Sequence, residues 1–403
     1  MFRKRIINVF PKKRKAGIGM KYDFDSLQER FGTGSLKWDV KENELPMWVA
    51  DMDFPAAPEI MEVITGRAAH GIFGYSIVPD EWYQAYQGWW ERRHHFRLER
   101  DWLLFCTGVV PAMSSIVRKM TTVGENVLIQ TPVYNIFFNS VINNGRNVVE
   151  NSLLYDGDAY CMDFKDLEEK LANPQTTMMI LCNPQNPAGR IWDREELERV
   201  GRLCLKHHVL VVSDEIHCDL TDPGKEYIPF ASISEEFADN SITCIAPTKA
   251  FNLAGLQTAA VVVPNPVLRH KVNRGLNTDE VAEPNAFAAV AAAAAFSKGE
   301  EWLDELRAYV YENKKYVSEF LKNELPQVKL VPSDATYLLW LDCRGLHVGS
   351  DELCDAIRQK TGLMLSSGCT YGESGDGFLR MNVACQRKRV IDGCERLKRG
   401  ILG

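Results

Sequence analysis

Six short, mostly apolar segments in the middle of the chain constrain the fold more than any other feature. Each is four or five residues long, which is typical of strands buried on both faces of a mainly parallel sheet. Residues 193–207 repeat apolar side chains at helical spacing, and Asp193 and Glu196 stand where they can cap the first turn. Alternating strands and helices predict an α/β domain. The six segments are 102–106, 127–130, 178–182, 209–213, 243–246 and 259–263.

The length of the chain predicts a second domain. At 403 residues, the chain exceeds the size of about 250–300 residues at which a single hydrophobic core stops growing. Apolar residues at helical spacing over 302–321 predict one long amphipathic helix. A strand at 337–341, a helix from Ser350 and a strand at 378–383 are expected after it. This pattern predicts a smaller α+β domain.

The pattern divides the chain into four expected regions. Residues 1–19 are expected to form a basic, disordered extension, and residues 20–60 an N-terminal segment that joins the smaller domain. Residues 61–290 are expected to form the large domain and residues 291–403 the small C-terminal domain.

Composition and charge exclude several classes of protein. The chain is 45% hydrophobic and 25% charged, as expected of a globular protein and not of a disordered or coiled-coil chain. No apolar run approaches the ~18 residues of a membrane-spanning helix, so we expect no membrane contact. Residues 1–15 contain seven basic side chains and none of the 54 acidic ones, so the rest of the chain is strongly acidic. We therefore expect no nucleic-acid partner.

The eleven cysteines indicate neither a metal site nor a disulfide framework. They are scattered singly, mostly within apolar runs, and no C-x-x-C pair is present. Scattered thiols in odd number are typical of a reducing compartment, where cysteine acts as a small apolar residue. We expect a cytoplasmic protein without a bound metal.

Three polar segments follow predicted strands, at the edge where open α/β sheets bind ligands. They are residues 183–189 (NPQNPAG), 213–217 (SDEIH) and 246–252 (APTKAFN). Together they bring an amide, a carboxylate and an amine to one rim. Pyridoxal phosphate requires this set, because a lysine binds its aldehyde, a carboxylate pairs with its pyridine nitrogen and an amide binds its phenolic oxygen.

These segments belong to a wider resemblance, which covers residues from about 21 to 400. The chain resembles the class I/II aminotransferase superfamily of fold type I pyridoxal-phosphate enzymes, and more closely its cystathionine β-lyase or C–S lyase branch (the MalY/PatB type). The resemblance implies a large cofactor-binding domain with a mainly parallel, seven-stranded sheet, plus the smaller α+β domain. The motifs that carry it are 36–39 (LKWD), 46–54 (PMWVADMDF), 73–75 (FGY), 108–111 (GVVP), 213–217 (SDEIH), 249–257 (KAFNLAGLQ) and 380–384 (RMNVA).

The resemblance assigns roles to single residues. Lys249 matches the lysine that binds the cofactor covalently and later takes the substrate's Cα proton. Asp214 matches the partner of the pyridine nitrogen, and Asn186 matches the amide at the phenolic oxygen. Tyr134 matches the aromatic residue that stacks on the cofactor ring. Arg380 matches the arginine that binds the substrate's α-carboxylate, a planar group that suits the fork of a guanidinium.

Further matches concern the phosphate and the neighbouring subunit. The backbone N–H groups of Val109 and Val110, at a strand-to-helix turn, and the hydroxyl of Thr248 match phosphate ligands. His217 occupies the place of a tyrosine near the phenolic oxygen in many aminotransferases. Tyr75 matches a tyrosine that reaches the phosphate bound to the neighbouring subunit, which implies a homodimer with shared active sites.

The chain departs from the aminotransferase pattern at several positions. Gln257 stands where many aminotransferases have a phosphate-binding arginine, in agreement with the lyase branch. Asn135 replaces a second tyrosine of some lyases, and Ala246 replaces a serine that contacts the phosphate. The sequence therefore does not determine which residues contact the substrate near these positions.

We expect a pyridoxal-phosphate-dependent carbon–sulfur β-lyase. It would cleave cystathionine, cystine or an S-substituted cysteine to a thiol, pyruvate and ammonia. The alternatives are an aminotransferase that uses the same residues and, in a different class, a regulatory binding protein that retains the fold.

Overall fold

The computed structural model describes residues 20–403, so the extension expected at 1–19 lies outside the described residues. Strands and helices are numbered in chain order. The strands are β1 (Leu45–Pro46), β2 (Leu103–Cys106), β3 (Asn126–Ile129), β4 (Asn147–Glu150), β5 (Leu154–Tyr155), β6 (Tyr160–Cys161), β7 (Thr176–Cys182), β8 (Leu210–Asp214), β9 (Ser241–Ile245), β10 (Ala259–Val262), β11 (Lys329–Leu330), β12 (Leu338–Asp342), β13 (Leu363–Met364), β14 (Ser366–Ser367) and β15 (Phe378–Asn382). The helices are α1 (Pro58–His70), α2 (Asp80–His94), α3 (Val109–Met120), α4 (Ile136–Ile142), α5 (Phe164–Leu171), α6 (Arg194–Lys206), α7 (Glu235–Asp239), α8 (Pro266–Thr278), α9 (Ala288–Lys298), α10 (Glu300–Glu324), α11 (Ser350–Thr361) and α12 (Arg387–Leu402).

A seven-stranded sheet forms the centre of the large domain. Its strand order is β2-β10-β9-β8-β7-β3-β4. The five strands from β9 to β4 pair in parallel, and β10 runs antiparallel to both of its neighbours. The six strands expected from the sequence all lie in this sheet, and the α/β class and the seven-stranded type are confirmed. The seventh strand, β4, was not predicted from the sequence, because it lies at the sheet edge and none of its residues is fully buried.

Helices cover both faces of this sheet, which explains the uninterrupted apolar runs. Along β7, Met178 and Ile180 pack into a core that includes residues of α3 and α8. Met179 and Leu181 point to the opposite face and pack into a core that includes residues of α5 and α6. At the start of α6, the expected capping box is present, with the Asp193 side chain accepting from the backbone N–H of Glu196.

A second sheet, of four strands, forms the C-terminal part. Its order is β11-β12-β15-β14, and its strands pair antiparallel. The long helix α10 and the elements expected after it are present, which confirms the smaller α+β part. The N-terminal segment joins this part, because β1 pairs in parallel with β13 and the Asp53 N–H donates to the Ala384 carbonyl at 2.9 Å. The boundaries of the four regions stay predictions.

Within residues 20–403, no helix combines the length and the apolar character needed to cross a bilayer.

Candidate active site

The site lies where three neighbouring parallel strands end. Asp214 is the last residue of β8, Asn186 follows β7, and Lys249 follows β9. Hydrogen bonds continue the ladder beyond the strands, from the Asn183 N–H to the Asp214 carbonyl and from the Glu215 N–H to the Cys244 carbonyl, both at 3.0 Å. The sheet thus delivers the predicted carboxylate, amide and amine to one edge.

Lys249 is held by the N-terminal segment. Its Nζ donates to the carbonyl oxygen of Ala50 at 2.7 Å. Burial, together with the positive charge of Arg380, lowers the pKa of the Lys249 amine to about 8, against smaller opposing effects of Asp51 and Asp214. An appreciable fraction of the amine is therefore neutral near pH 7, as a nucleophile or a base requires.

Asp214 is a buried carboxylate, and few surrounding groups stabilise its negative charge. Its Oδ1 accepts from the backbone N–H of Ile216 at 3.1 Å. Burial raises the pKa of Asp214 to about 6, although this hydrogen bond and the charge of Lys249 act in the opposite direction. A cationic partner would stabilise its charged form, because a buried charge needs pairing.

Arg380 and Asn186 contact each other although they are far apart in the sequence. Both side chains are buried, and Arg380 Nη1 donates to Asn186 Oδ1 at 3.1 Å. Arg380 Nη2 donates to the carbonyl of Trp48 at 2.9 Å, and the guanidinium lies 4.9 Å from the ring centre of Tyr371. The Nε of Arg380 is buried without a hydrogen-bond partner among residues 20–403, so this donor is available for a ligand.

Tyr134 and His217 complete the polar surroundings. Tyr134 is half-buried, and burial raises the pKa of its hydroxyl, with a smaller contribution from Asp214. His217 is buried, and its pKa is lowered to about 3, mainly by burial and secondarily by Lys249 and Arg380. The imidazole is therefore neutral near pH 7.

The predicted phosphate ligands lie at the N-terminus of α3 and in the lysine loop. Val109 and Val110 are the first two residues of this 12-residue helix, where backbone N–H groups are without helical partners. Gly108 precedes them, and Thr248 is buried next to Lys249 in sequence. This arrangement suits an anion.

Tyr75 lies on an exposed stretch and not within the site of the single chain. It is fully exposed, and its neighbours Ile72, Phe73 and Ile77 are also exposed. The ring of Phe73 packs near that of Phe287, with centroids 5.8 Å apart. A second chain is needed to give Tyr75 the predicted role, which stays a prediction.

The sequence indicates residues 46–54 as a motif but predicts no role in the site for any of them. In the structure, the Trp48 carbonyl binds Arg380, and the Ala50 carbonyl binds Lys249 and also accepts from the Tyr337 hydroxyl at 3.1 Å. Because these contacts use backbone oxygens, no side-chain pattern could have indicated them.

Comparison with known proteins identifies the family of the chain. The family model described as aminotransferase class I and II matches residues 49–397. The chain belongs to the class I and II aminotransferase family. This match confirms the expected superfamily, and the identity to cystathionine β-lyase PatB confirms the expected lyase branch.

Three proteins with which this family member was compared are C–S lyases or their relatives, and it is similar to each over most of its length. It is 45% identical over 383 residues to cystathionine β-lyase PatB of Bacillus subtilis, with 93% of this chain and 99% of the relative covered. It also superposes on cystalysin from Treponema denticola, a structure that contains pyridoxal 5′-phosphate, with a TM-score of 0.92 and 31% identity, over 94% of this chain and 99% of the other. The PLP-bound C–S lyase from Staphylococcus hominis gives a TM-score of 0.89 at 29% identity, over 96% of this chain and 100% of the other. The fold type I assignment is therefore confirmed.

Proposed function

We propose that this protein is a pyridoxal 5′-phosphate-dependent carbon–sulfur β-lyase. It cleaves cystathionine or an S-substituted cysteine to a thiol, pyruvate and ammonia, and from cystine the sulfur product is the persulfide of cysteine. The observation that carries this reaction class is the 45% identity to a cystathionine β-lyase over nearly the whole chain. The solved structures of cystalysin and of a C–S lyase, both with this cofactor, support the same conclusion.

The residues of the site fit the cofactor. The uncompensated, buried Asp214 suits a protonated pyridine nitrogen, and the Lys249 amine suits an aldehyde. We assign Asn186 and His217 to the phenolic oxygen and Tyr134 to the ring face. The N–H groups of Val109 and Val110, with the hydroxyl of Thr248, would hold the phosphate.

The chain's own residues then have distinct tasks in the reaction. Arg380 binds the α-carboxylate through its guanidinium fork, for which its Nε is available, since this atom has no hydrogen-bond partner in the described part of the chain. Lys249 takes the Cα proton. When bound, the cofactor supplies an electron sink that stabilises negative charge at Cα. The Cβ–S bond breaks with its electron pair leaving on sulfur, the thiolate takes up a proton, and water converts the three-carbon product to pyruvate and ammonia.

The assembly is proposed to be a homodimer with shared active sites. The stretch that carries Tyr75 exposes Ile72, Phe73 and Ile77, an apolar surface that suits a second copy of the chain. The cytoplasmic location expected from the scattered cysteines stays a prediction.

One assay separates the lyase from an aminotransferase. The purified holoenzyme is given cystathionine without any 2-oxoacid, and pyruvate is measured. We expect pyruvate and a free thiol in equal amounts. A strict requirement for a 2-oxoacid acceptor would refute the lyase, and a colourless protein that takes up no cofactor would favour the binding protein.

A further inference from the structure

A short piece of backbone connects the two main functional side chains. We call residues 47–53 the strap. Its Trp48 carbonyl accepts from Arg380 at 2.9 Å, and two residues later its Ala50 carbonyl accepts from Lys249 at 2.7 Å. The strap therefore contacts the proposed carboxylate-binding arginine at Trp48 and the lysine at Ala50.

Asn382 binds the strap on both sides of Ala50. Its Nδ2 donates to the carbonyls of Val49 and Asp51, each at 2.6 Å. Its Oδ1 accepts from the backbone N–H of Ala384 at 2.7 Å, and the side chain is 1% exposed. Because both amide hydrogens and the oxygen are engaged, the side chain has one orientation, and it fixes the backbone before and after Ala50.

The position of Asn382 on β15 makes this link direct. Asn382 follows Arg380 by two residues on the same strand, so their side chains lie on the same face of the sheet. The strand and the strap also bind each other through their backbones, since the Asn382 N–H donates to the Met47 carbonyl at 2.8 Å. One rigid strand thus carries the arginine and supports the backbone that holds the lysine.

We propose that Asn382 is a positioning residue for Lys249. By holding the carbonyls of Val49 and Asp51, it fixes the Ala50 carbonyl as the acceptor for the Lys249 amine when the amine is not bonded to the cofactor. The inference rests on the proposed role of Lys249 as the group that takes the Cα proton. A displacement of about 1 Å in a reacting group lowers a rate by roughly a hundredfold, so a loose strap slows proton transfer.

Asn313 offers a matched control. It is a fully buried asparagine on α10, and its Nδ2 also joins two backbone carbonyls, those of Val383 and Cys385, at 3.0 and 2.9 Å. Those carbonyls do not belong to the strap. Asn313→Ala therefore removes an equivalent pair of hydrogen bonds but leaves in place both hydrogen bonds from Asn382 Nδ2 to the strap.

The first experiment measures proton transfer without C–S cleavage. The holoenzyme is mixed with L-alanine in D₂O, and loss of the Cα hydrogen signal is followed by proton NMR. We expect Asn382→Ala to reduce the maximal exchange rate about 10- to 100-fold, with the half-saturating alanine concentration and the cofactor content within twofold of wild type. Asn313→Ala should retain the wild-type exchange rate within twofold. Equal losses in both variants, or no loss in Asn382→Ala, would overturn the proposal.

The second experiment measures how the reactivity of the Lys249 amine depends on pH. Cofactor is removed, pyridoxal phosphate is added back over a range of pH, and the gain of visible absorbance is timed. A protonated amine without a fixed acceptor is less stable, so the midpoint of this pH profile should shift to lower pH in Asn382→Ala and not in Asn313→Ala. An unshifted midpoint would overturn the proposal. Asn382→Ser, which retains one donor, covers the case in which the alanine variant does not fold, and it should show intermediate effects in both experiments.

Failure of the proposed function has a different signature. Exchange at Cα and uptake of cofactor need no C–S cleavage. The expected differences between Asn382→Ala and Asn313→Ala in these two experiments therefore apply to an aminotransferase as well. Absence of pyruvate from cystathionine in the wild type refutes the lyase and leaves the comparison of Asn382 with Asn313 intact.

Discussion

Replacement of Arg380 by lysine tests the substrate-binding part of the site. Lysine retains the positive charge but replaces the planar fork with a single ammonium group. In the structure, Nη1 and Nη2 lie 3.1 and 2.9 Å from Asn186 Oδ1 and the Trp48 carbonyl, and Nε is buried without a hydrogen-bond partner among the described residues. If Arg380 binds the α-carboxylate as proposed, Arg380→Lys removes a second, parallel hydrogen bond to that carboxylate.

The expected loss follows from the strength of this bond. A hydrogen bond to a charged group contributes about 1.5–3 kcal/mol. Since each 1.4 kcal/mol corresponds to about a tenfold change, kcat/KM should fall roughly 10- to 150-fold. The assay is pyruvate formation from cystathionine over a range of concentrations. The visible absorbance of the bound cofactor should be unchanged, because Arg380 is assigned to the substrate and not to the cofactor.

Two comparisons make this prediction specific. Arg380→Lys should lower the ratio of kcat/KM for the amino acid to kcat/KM for its decarboxylated amine, because the lost contact is to the carboxylate. Arg307→Lys, at a partly buried arginine that binds Thr221 and Asp304, should leave kcat/KM within twofold. If Arg380→Lys also stays within twofold, with unchanged cofactor content, the carboxylate is bound elsewhere and Arg380 is structural.

The other predictions concern the cofactor. Lys249→Ala should abolish pyruvate formation, because it removes the residue proposed as both the covalent anchor and the base; full activity in the steady-state assay would refute this role. Asp214→Asn should lower kcat by at least about a hundredfold, since a neutral amide does not pair with a protonated pyridine nitrogen; an unchanged kcat would exclude that pairing. Cofactor uptake by the ligand-free protein should accelerate as pH rises through about 8, because the neutral Lys249 amine is the nucleophile, and a pH-independent rate would contradict this. Tyr75→Phe should increase the cofactor dissociation constant measured by absorbance titration, whereas an unchanged constant would make Tyr75 a packing residue.

Much of the fold could be predicted from the sequence because its signals are local. The β7 run is uninterrupted because alternate residues face two separate cores, so each of Met178, Met179, Ile180 and Leu181 is buried. The start of α6 could be predicted because Asp193 and Glu196 cap it within one turn. The edge strand β4, which is only partly buried, lacked such a signal.

The edge of the sheet that carries the site was also predictable. Parallel strands end at the same edge, so polar residues directly after β7, β8 and β9 had to lie near one another. The assignment of single roles came instead from the resemblance to a known family, because the residue types at these positions are common at strand ends.

The tertiary structure alone determined how the site is held together. Arg380 and Asn186 are 194 positions apart, and Asn382 binds a strap more than 330 positions earlier in the chain. The sequence identified the amine and the carboxylate, but burial in the folded chain moves the pKa of Lys249 down to about 8 and that of Asp214 up to about 6. The strap acts through its backbone carbonyls, which every residue possesses, so only their placement by the fold distinguishes them from any others.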